Sequence, residues 1–253
     1  MTKVVQPESR NSAHLGVMGA DYAEGRLKAK HLGFRYRVRA NVAAEAYRAA
    51  YPGTAPVRVL ELGAAEGLTL LHMRELLGPG GDFLGVELSD SLLAAAPTLP
   101  GDTRLIKGDV QSLPEEIQDD AWDLCTALAV IEHLPDPQKL AHEAFRILRP
   151  GGVFVATCPN PFWDQVAGFA GLVKDEHHEQ PVDMRFLANL AQTAGFESIT
   201  TRPFMWVVTG FLPYLGVDLD PVLSLRVDEV IEKVKPLHFS FVNQTLIARK
   251  PAL

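Results

Sequence analysis

Apolar positions along the chain keep two rhythms that take turns from residue 28 to residue 158. Short apolar runs rich in β-branched residues, at 57–62, 83–88, 103–106, 122–128 and 153–158, have the length and composition of buried strands. Between them, residues 68–77, 91–96 and 138–148 place apolar side chains three and four apart, the spacing of one helix face. Strands alternating with helices predict a parallel sheet covered on both faces. The boundaries have local causes. Gly78 closes the first helix, Ser89 or Asp90 caps the second, and Asp136 with Pro137 opens the third, which Pro150-Gly151-Gly152 is expected to stop.

Upstream, residues 28–50 are helix formers, broken by Gly33 and ended by Pro52-Gly53, which predicts a helical cap before the first strand. Downstream, Asp183 precedes Phe186, Leu187, Leu190 and Ala191, and Gly195 follows, the pattern of another amphipathic helix. Residues 239–248 look like a last strand. The apolar run 205–217, with Trp206, Phe211, Leu212 and Tyr214, suits a buried strand followed by packing residues, or a pocket wall for an apolar or aromatic molecule. Nothing repeats at a fixed period, so a solenoid is excluded, and 253 residues suit a single α/β domain with insertions.

Charge narrows the function. A formal net charge of −7 supplies no global basic field for phosphates, so no nucleic-acid partner is expected, and an acidic ligand would need local cations. Cys125 and Cys158 fall inside predicted strands and read as reduced core thiols rather than a disulfide scaffold. The first residues lack the apolar core of a secretory signal. The uncharged stretch 203–217 is shorter than the ~18 apolar residues of a spanning helix and holds Gly210 and Pro213. No membrane span and a cytoplasmic location are therefore expected.

In an open parallel sheet, ligands sit beyond the carboxyl ends of the strands, and three neighbouring ends carry matching chemistry. The first strand leads into Glu61-Leu62-Gly63-Ala64-Ala65-Glu66-Gly67, a tight turn whose small residues let a ligand approach the backbone. The second ends in Glu87-Leu88, roughly where an acceptor for paired ribose hydroxyls belongs. The third leads to Asp109-Val110, where the carboxylate suits an adenine amino group and Leu88 and Val110 suit the ring faces. A dinucleotide would use the same turn. Here, however, the middle glycine of G-x-G-x-x-G is missing, and Glu61 and Glu66 stand where a pyrophosphate needs positive potential. A nicotinamide oxidoreductase is thereby disfavoured, and a cofactor bearing an ammonium and a sulfonium is favoured.

These segments resemble the class I S-adenosylmethionine-dependent methyltransferases, in particular the small-molecule group that modifies ubiquinone, menaquinone and sugars. The resemblance runs in order through residues 59–67, 85–89, 108–114, 122–137 and 146–161, and spans most of 55–200. It implies an α/β fold: a Rossmann-like, doubly wound seven-stranded sheet with its last strand antiparallel, here behind an N-terminal helical cap. It implies S-adenosyl-L-methionine as cofactor and places Glu61, Gly63, Gly67, Glu87 and Asp109 around it, with Ala127 and Leu128 beside the methionine moiety. Ala65 stands where the family often has glycine and is expected to crowd the cofactor slightly. The expected organisation is one methyltransferase domain over 1–253: a cap at 1–54, a cofactor-binding core at 55–200, and acceptor-side elements with the last strand at 201–253.

The acceptor is expected to be a small molecule, apolar or aromatic, methylated at oxygen or nitrogen. His133, just past the fourth strand, is the best-placed general base, with packing or capping of the following turn as its other reading. Residues 129–133 also resemble the Glu-x-x-Glu-His motif of magnesium-dependent members. Ala129 replaces the first carboxylate, and Glu132, His133 and one of His177 or His178 offer a hard cation too little oxygen, so no metal is expected. Residues 159–180, with Phe162 and Trp163, read as a lid. Arg35, Arg37 and Arg39 would spread around a helix as a solvated face, or align to grip an anion were the segment extended. A module that holds the cofactor without turning it over is the alternative from another class.

Overall fold

The computed structural model describes residues 26, 29–53, 55–163, 166 and 182–252. Helix α1 (Lys30–Ala50) is followed by β1 (Arg58–Leu62), α2 (Leu68–Leu77), β2 (Asp82–Glu87), the short α3 (Asp90–Ala94), β3 (Thr103–Lys107) and β4 (Trp122–Leu128). A single helical turn, Ile131–His133, precedes α4 (Pro137–Ile147), β5 (Leu148–Pro159), α5 (Met184–Ala194) and β6 (Glu197–Trp206). Helix α6 (Val207–Phe211), the turn Leu212–Leu215, α7 (Pro221–Ile231), the turn Lys235–Ser240 and β7 (Phe241–Arg249) complete the order. Among the described residues the strands form one seven-stranded sheet ordered β3-β2-β1-β4-β5-β7-β6. The last strand in sequence, β7, runs antiparallel to both neighbours, as expected.

Side chains alternate across the sheet with the period of two that a strand imposes. Leu60, Leu62, Phe154, Ala156 and Cys158 face a core closed by Leu140 and Ala144 of α4 and Leu187 and Leu190 of α5. Val57, Val59, Val153 and Val155 face the other way, onto Phe34, Val38 and Val42 of α1 and Leu70 and Met73 of α2. Helix α1 presents Phe34, Val38, Val42 and Ala46 as one buried stripe at four-residue spacing. It runs through Gly33 without a break, because burial of that stripe outweighs the ~1 kcal/mol a helical glycine costs. Cys125 and Cys158 are buried, unpaired thiols, and burial pushes both pKa values up.

The direction of α1 matters for the site. Its last turn sits at the amino edge of the sheet, where Tyr51 Oη donates to the carbonyl of Gly151 near the start of β5. Arg39 lies at the opposite edge, 3.4 Å from Asn243 Oδ1, and Asn243 pairs with Pro159 at the carboxyl end of β5. Residues ahead of Arg39 therefore project past the carboxyl edge.

Three expectations change. Pro150-Gly151-Gly152 does not end α4. The helix stops at Ile147, β5 begins at once, and the Pro-Gly-Gly segment lies in its first half, where the register with β4 shifts between Trp122 and Leu124. Residues 205–217 are not a strand plus packing residues: β6 ends at Trp206, and the remainder turns into α6 and the following helical turn. Arg35, Arg37 and Arg39 are helical but not a solvated face, since all three are half-buried.

Candidate active site

Beyond the carboxyl ends of β1 to β4 the chain leaves the sheet through turns with unusual backbone. Gly63 (φ 72°), Ala65 (φ 50°) and Gly67 (φ 85°) crowd left-handed residues into the β1–α2 turn, and Ala129 (φ 61°) adds one after β4. Side-chain-free backbone is needed at Gly63 for packing too, because a Cβ there would lie 2.6 Å from Val130 Cγ2. An alanine in this region costs about 1–2 kcal/mol, and such strain gathers at sites that the surrounding structure over-determines.

These turns enclose a cavity of about 150 Å³. Glu61, Gly63 and Ala65 line it from β1 and its turn, Glu87 and Leu88 from the end of β2, and Asp109 and Val110 from the turn after β3. Leu128 and His133 close it from β4 and the helical turn that follows. Two expected residues lie elsewhere. Gly67 is the left-handed residue that starts α2, against Leu105, and Ala127 points into the core from the penultimate position of β4.

Arg26 was not anticipated. It also lines the cavity, with Nε 3.1 Å from Glu66 Oε1 and Nη2 donating to Thr69 Oγ1 at 2.7 Å. Its guanidinium stands over the Tyr36 ring, 5.1 Å from the centroid. Nothing in the sequence marks Arg26, because it precedes the first clear helix and belongs to no motif. Thr69 and Leu92, which line the cavity from α2 and α3, were legible in principle as residues of helices that start at the carboxyl edge.

The cavity is rich in carboxylates. Glu61 is 2% exposed. Burial pushes its pKa up to about 8, with Arg26 opposing and Glu66 and Glu87 adding to the rise. Its Oε2 is buried without a hydrogen-bond partner among the described residues. Burial also raises the pKa of Glu66, against the pull of Arg26. Glu87 is held from two sides, Oε2 accepting from the Ala65 amide at 2.9 Å and Oε1 from the Ser89 amide at 2.8 Å. Asp109 Oδ1 accepts from the Gln111 amide at 2.8 Å. Arg26 faces Glu61 and Glu66, with Glu87 and Asp109 on the same cavity, so acidic groups outnumber the guanidinium, which suits a cationic ligand and disfavours a pyrophosphate. Leu88 stays 37% exposed, an apolar side chain kept at the cavity rim beside buried Val110.

Among the described residues no three His, Cys, Asp or Glu side chains are grouped to hold a metal ion. His177 and His178, the suggested lid histidines, lie outside the described residues. Likewise among the described residues, no helix is long and apolar enough to cross a membrane.

Comparison with known proteins points the same way. Residues 34–201 match the family model described as a methyltransferase domain. A probable S-adenosylmethionine-dependent methyltransferase of Mycolicibacterium smegmatis is 29% identical over 139 residues, 55% of this chain and 51% of that protein. A ubiquinone biosynthesis O-methyltransferase of Psychrobacter cryohalolentis is 29% identical over 128 residues, 48% of each chain. The chain thus spans about half the length of these curated relatives. In fold it is similar to a chain of the Haloferax volcanii complex between the Trm112 methyltransferase activator and a putative methyltransferase. That likeness has a TM-score of 0.63 at 19% identity, over 92% of this chain and 95% of that one.

Proposed function

The chain belongs to the methyltransferase-domain family, with S-adenosylmethionine as cofactor, and from that premise we propose that it methylates a small-molecule acceptor at oxygen or nitrogen. The observation that supports this reading is the convergence of Glu61, Glu87, Asp109 and His133 on one cavity. Bound there, the cofactor supplies an electrophilic methyl group on a cationic sulfur.

The residues divide the work by chemistry. Glu87, fixed by the Ala65 and Ser89 amides, keeps lone pairs for two ribose hydroxyls. Asp109 accepts from the adenine amino group while Leu88 and Val110 cover the ring. Glu61, buried with an unsatisfied oxygen, meets the ammonium of the amino-acid end near Gly63 and Leu128. His133, half-buried at the mouth, takes a proton from the attacking hydroxyl or amine. The protein's remaining tasks are alignment and exclusion of water, which suffice for much of an in-line displacement.

The test is incubation with isotopically labelled S-adenosylmethionine and fractionated cell extract, followed by mass spectrometry. Label in a low-mass product supports the reading. Label in protein or nucleic acid overturns the small-molecule acceptor, and no transfer despite intact cofactor binding favours a non-catalytic module.

A further inference from the structure

The carboxyl edge of the sheet has a second half, over β5 and β7, that the cofactor cavity does not use. Helix α1 overhangs it, and Arg35 and Arg39, four residues or ~6 Å apart along the axis, share one face there. Arg39 reaches the edge itself through Asn243. Arg35 stands one turn farther out, half-buried. Its Nε is buried without a hydrogen-bond partner, and among the described residues no carboxylate forms an ion pair with it. In a chain with 31 acidic and 24 basic residues, a half-buried guanidinium that no described carboxylate pairs, with its Nε out of water and unpartnered, is a costly arrangement.

What Arg35 does touch is aromatic. Its guanidinium lies 5.8 Å from the centroid of the Tyr214 ring. Tyr214 stacks on Phe211 at 5.4 Å, and Phe211 meets Trp163 at 6.4 Å. Trp163 is pinned by its indole N–H, which donates to the Phe239 carbonyl at 2.7 Å. Phe211 and Tyr214 remain 37% and 46% exposed. The result is a wall of rings running from α1 to the segment that follows β5, with a cation at one end. His133 follows β4, the strand next to β5, so the wall and the proposed base share the same edge.

We propose that the acceptor is an anion with an apolar or aromatic body, its carboxylate, sulfate or phosphate held by Arg35 with Arg39 behind it, its body on the rings of Tyr214, Phe211 and Trp163. This rests on the reading that a small molecule is methylated at this edge. The overall charge of −7 repels anions, so local guanidinium groups would supply the recognition.

Two dyes that share one body test it: 8-anilinonaphthalene-1-sulfonate and its neutral counterpart N-phenyl-1-naphthylamine, titrated by fluorescence into the protein saturated with S-adenosylhomocysteine. The wild type is expected to bind the sulfonate more tightly than the neutral dye. Arg35→Gln should lower sulfonate affinity about tenfold and leave the neutral dye unchanged, Arg35→Lys should recover part of the loss, and Phe211→Ala should weaken both. Calorimetric affinity for the cofactor, unchanged in each variant, confirms that the fold is kept. Equal binding of the two dyes by the wild type, or an equal effect of Arg35→Gln on both, overturns the anion site. The labelled product separates this proposal from the reading beneath it. A small product retained on an anion exchanger supports both, a small uncharged or cationic product overturns the anion alone, and label in a macromolecule overturns the small-molecule reading.

Discussion

Replacing Glu61 by glutamine should remove a proton from the cofactor-binding equilibrium. The carboxyl is buried among Glu66 and Glu87 with Arg26 as its cationic neighbour, and burial above all raises its pKa to about 8. At pH 7, one unit below that value, about nine in ten molecules hold the proton. An ammonium brought against this group favours the carboxylate, so binding should expel up to ~0.9 proton per cofactor at pH 7. The cofactor's own amino group, ordinarily near ~7.7–8.0, arrives mostly protonated and contributes equally in wild type and variant.

The same shift has a stability signature in the ligand-free protein. The native state holds the proton up to about pH 8, while the unfolded state releases it near its ordinary value of 4.5. Because the native state binds more protons across that window, the contribution favours folding at low pH and is lost as pH rises, with a slope approaching ~1.4 kcal/mol per pH unit. Glu61→Gln should flatten this slope and raise the melting temperature at pH 8, while cofactor affinity falls. The assay is titration calorimetry in two buffers of different ionisation enthalpy, paired with thermal unfolding from pH 5 to 8. If wild-type binding releases no proton, or Glu61→Gln releases as many as the wild type, the placing of the ammonium against Glu61 is wrong.

Glu87→Ala should weaken S-adenosylmethionine binding by about 1.5–3 kcal/mol, the range for hydrogen bonds to a charged group. Unchanged calorimetric affinity in a folded variant would remove Glu87 from the site. His133→Ala should lower turnover by roughly 10²–10⁴ while changing cofactor affinity by less than about tenfold, or ~1.4 kcal/mol. Retained turnover would leave alignment alone to carry the reaction. Ala65→Gly removes a left-handed alanine worth about 1–2 kcal/mol but adds unfolded-state freedom worth about 0.4–1 kcal/mol. A net gain of roughly 0.5–1 kcal/mol in denaturant unfolding is expected, and a loss would show that the Ala65 methyl packs usefully.

The alternating half of the fold was legible because β1, β2, β4 and the second half of β5 are buried on both faces and read as mainly apolar runs, with the edge strand β3 placed by its position after a helical segment. Strand β6 was not. It lies at the sheet edge beside β7, its first residues are exposed, and it contains Pro203, which an edge strand tolerates. Such a strand carries no clear alternation. Helix α7 did carry a signal, Asp220 before Pro221, and Asp220 does accept from the Leu223 amide, but the exposed Leu223 and Val230 blur its apolar face. At the site, Glu87 and Asp109 could be found because topology alone sends residues after parallel strands to one edge. Arg26 could not, since only its tertiary contacts with Glu66 and Thr69 bring it to the β1–α2 turn. The three arginines of α1 failed for a related reason: helical spacing gives their angles around the axis, but only the tertiary position of α1 shows that Arg35 and Arg39 overhang the edge.

That overhang brings two guanidinium groups to one half of the edge, while the cofactor cavity gathers carboxyl groups on the other. Over β1 to β3 stand Glu61, Glu66, Glu87 and Asp109, and over β5 and β7 stand Arg35 and Arg39, although Glu132 and Asp183 also act on Cys158 near the end of β5. On the proposed reading a cationic donor binds one half and an anionic acceptor the other, so each is drawn to its own end and neither to its neighbour's. The attraction between the two ligands then adds to alignment across the gap, where His133 sits. Methyl transfer from a sulfonium discharges the cofactor, so the carboxylate-rich half holds the product less strongly than the donor. Raising the ionic strength should therefore weaken donor binding more than product binding. The half-buried Arg35 should feel this screening more than the fully buried Glu61, because partly solvated charges are screened within about 10 Å at ~0.1 M salt.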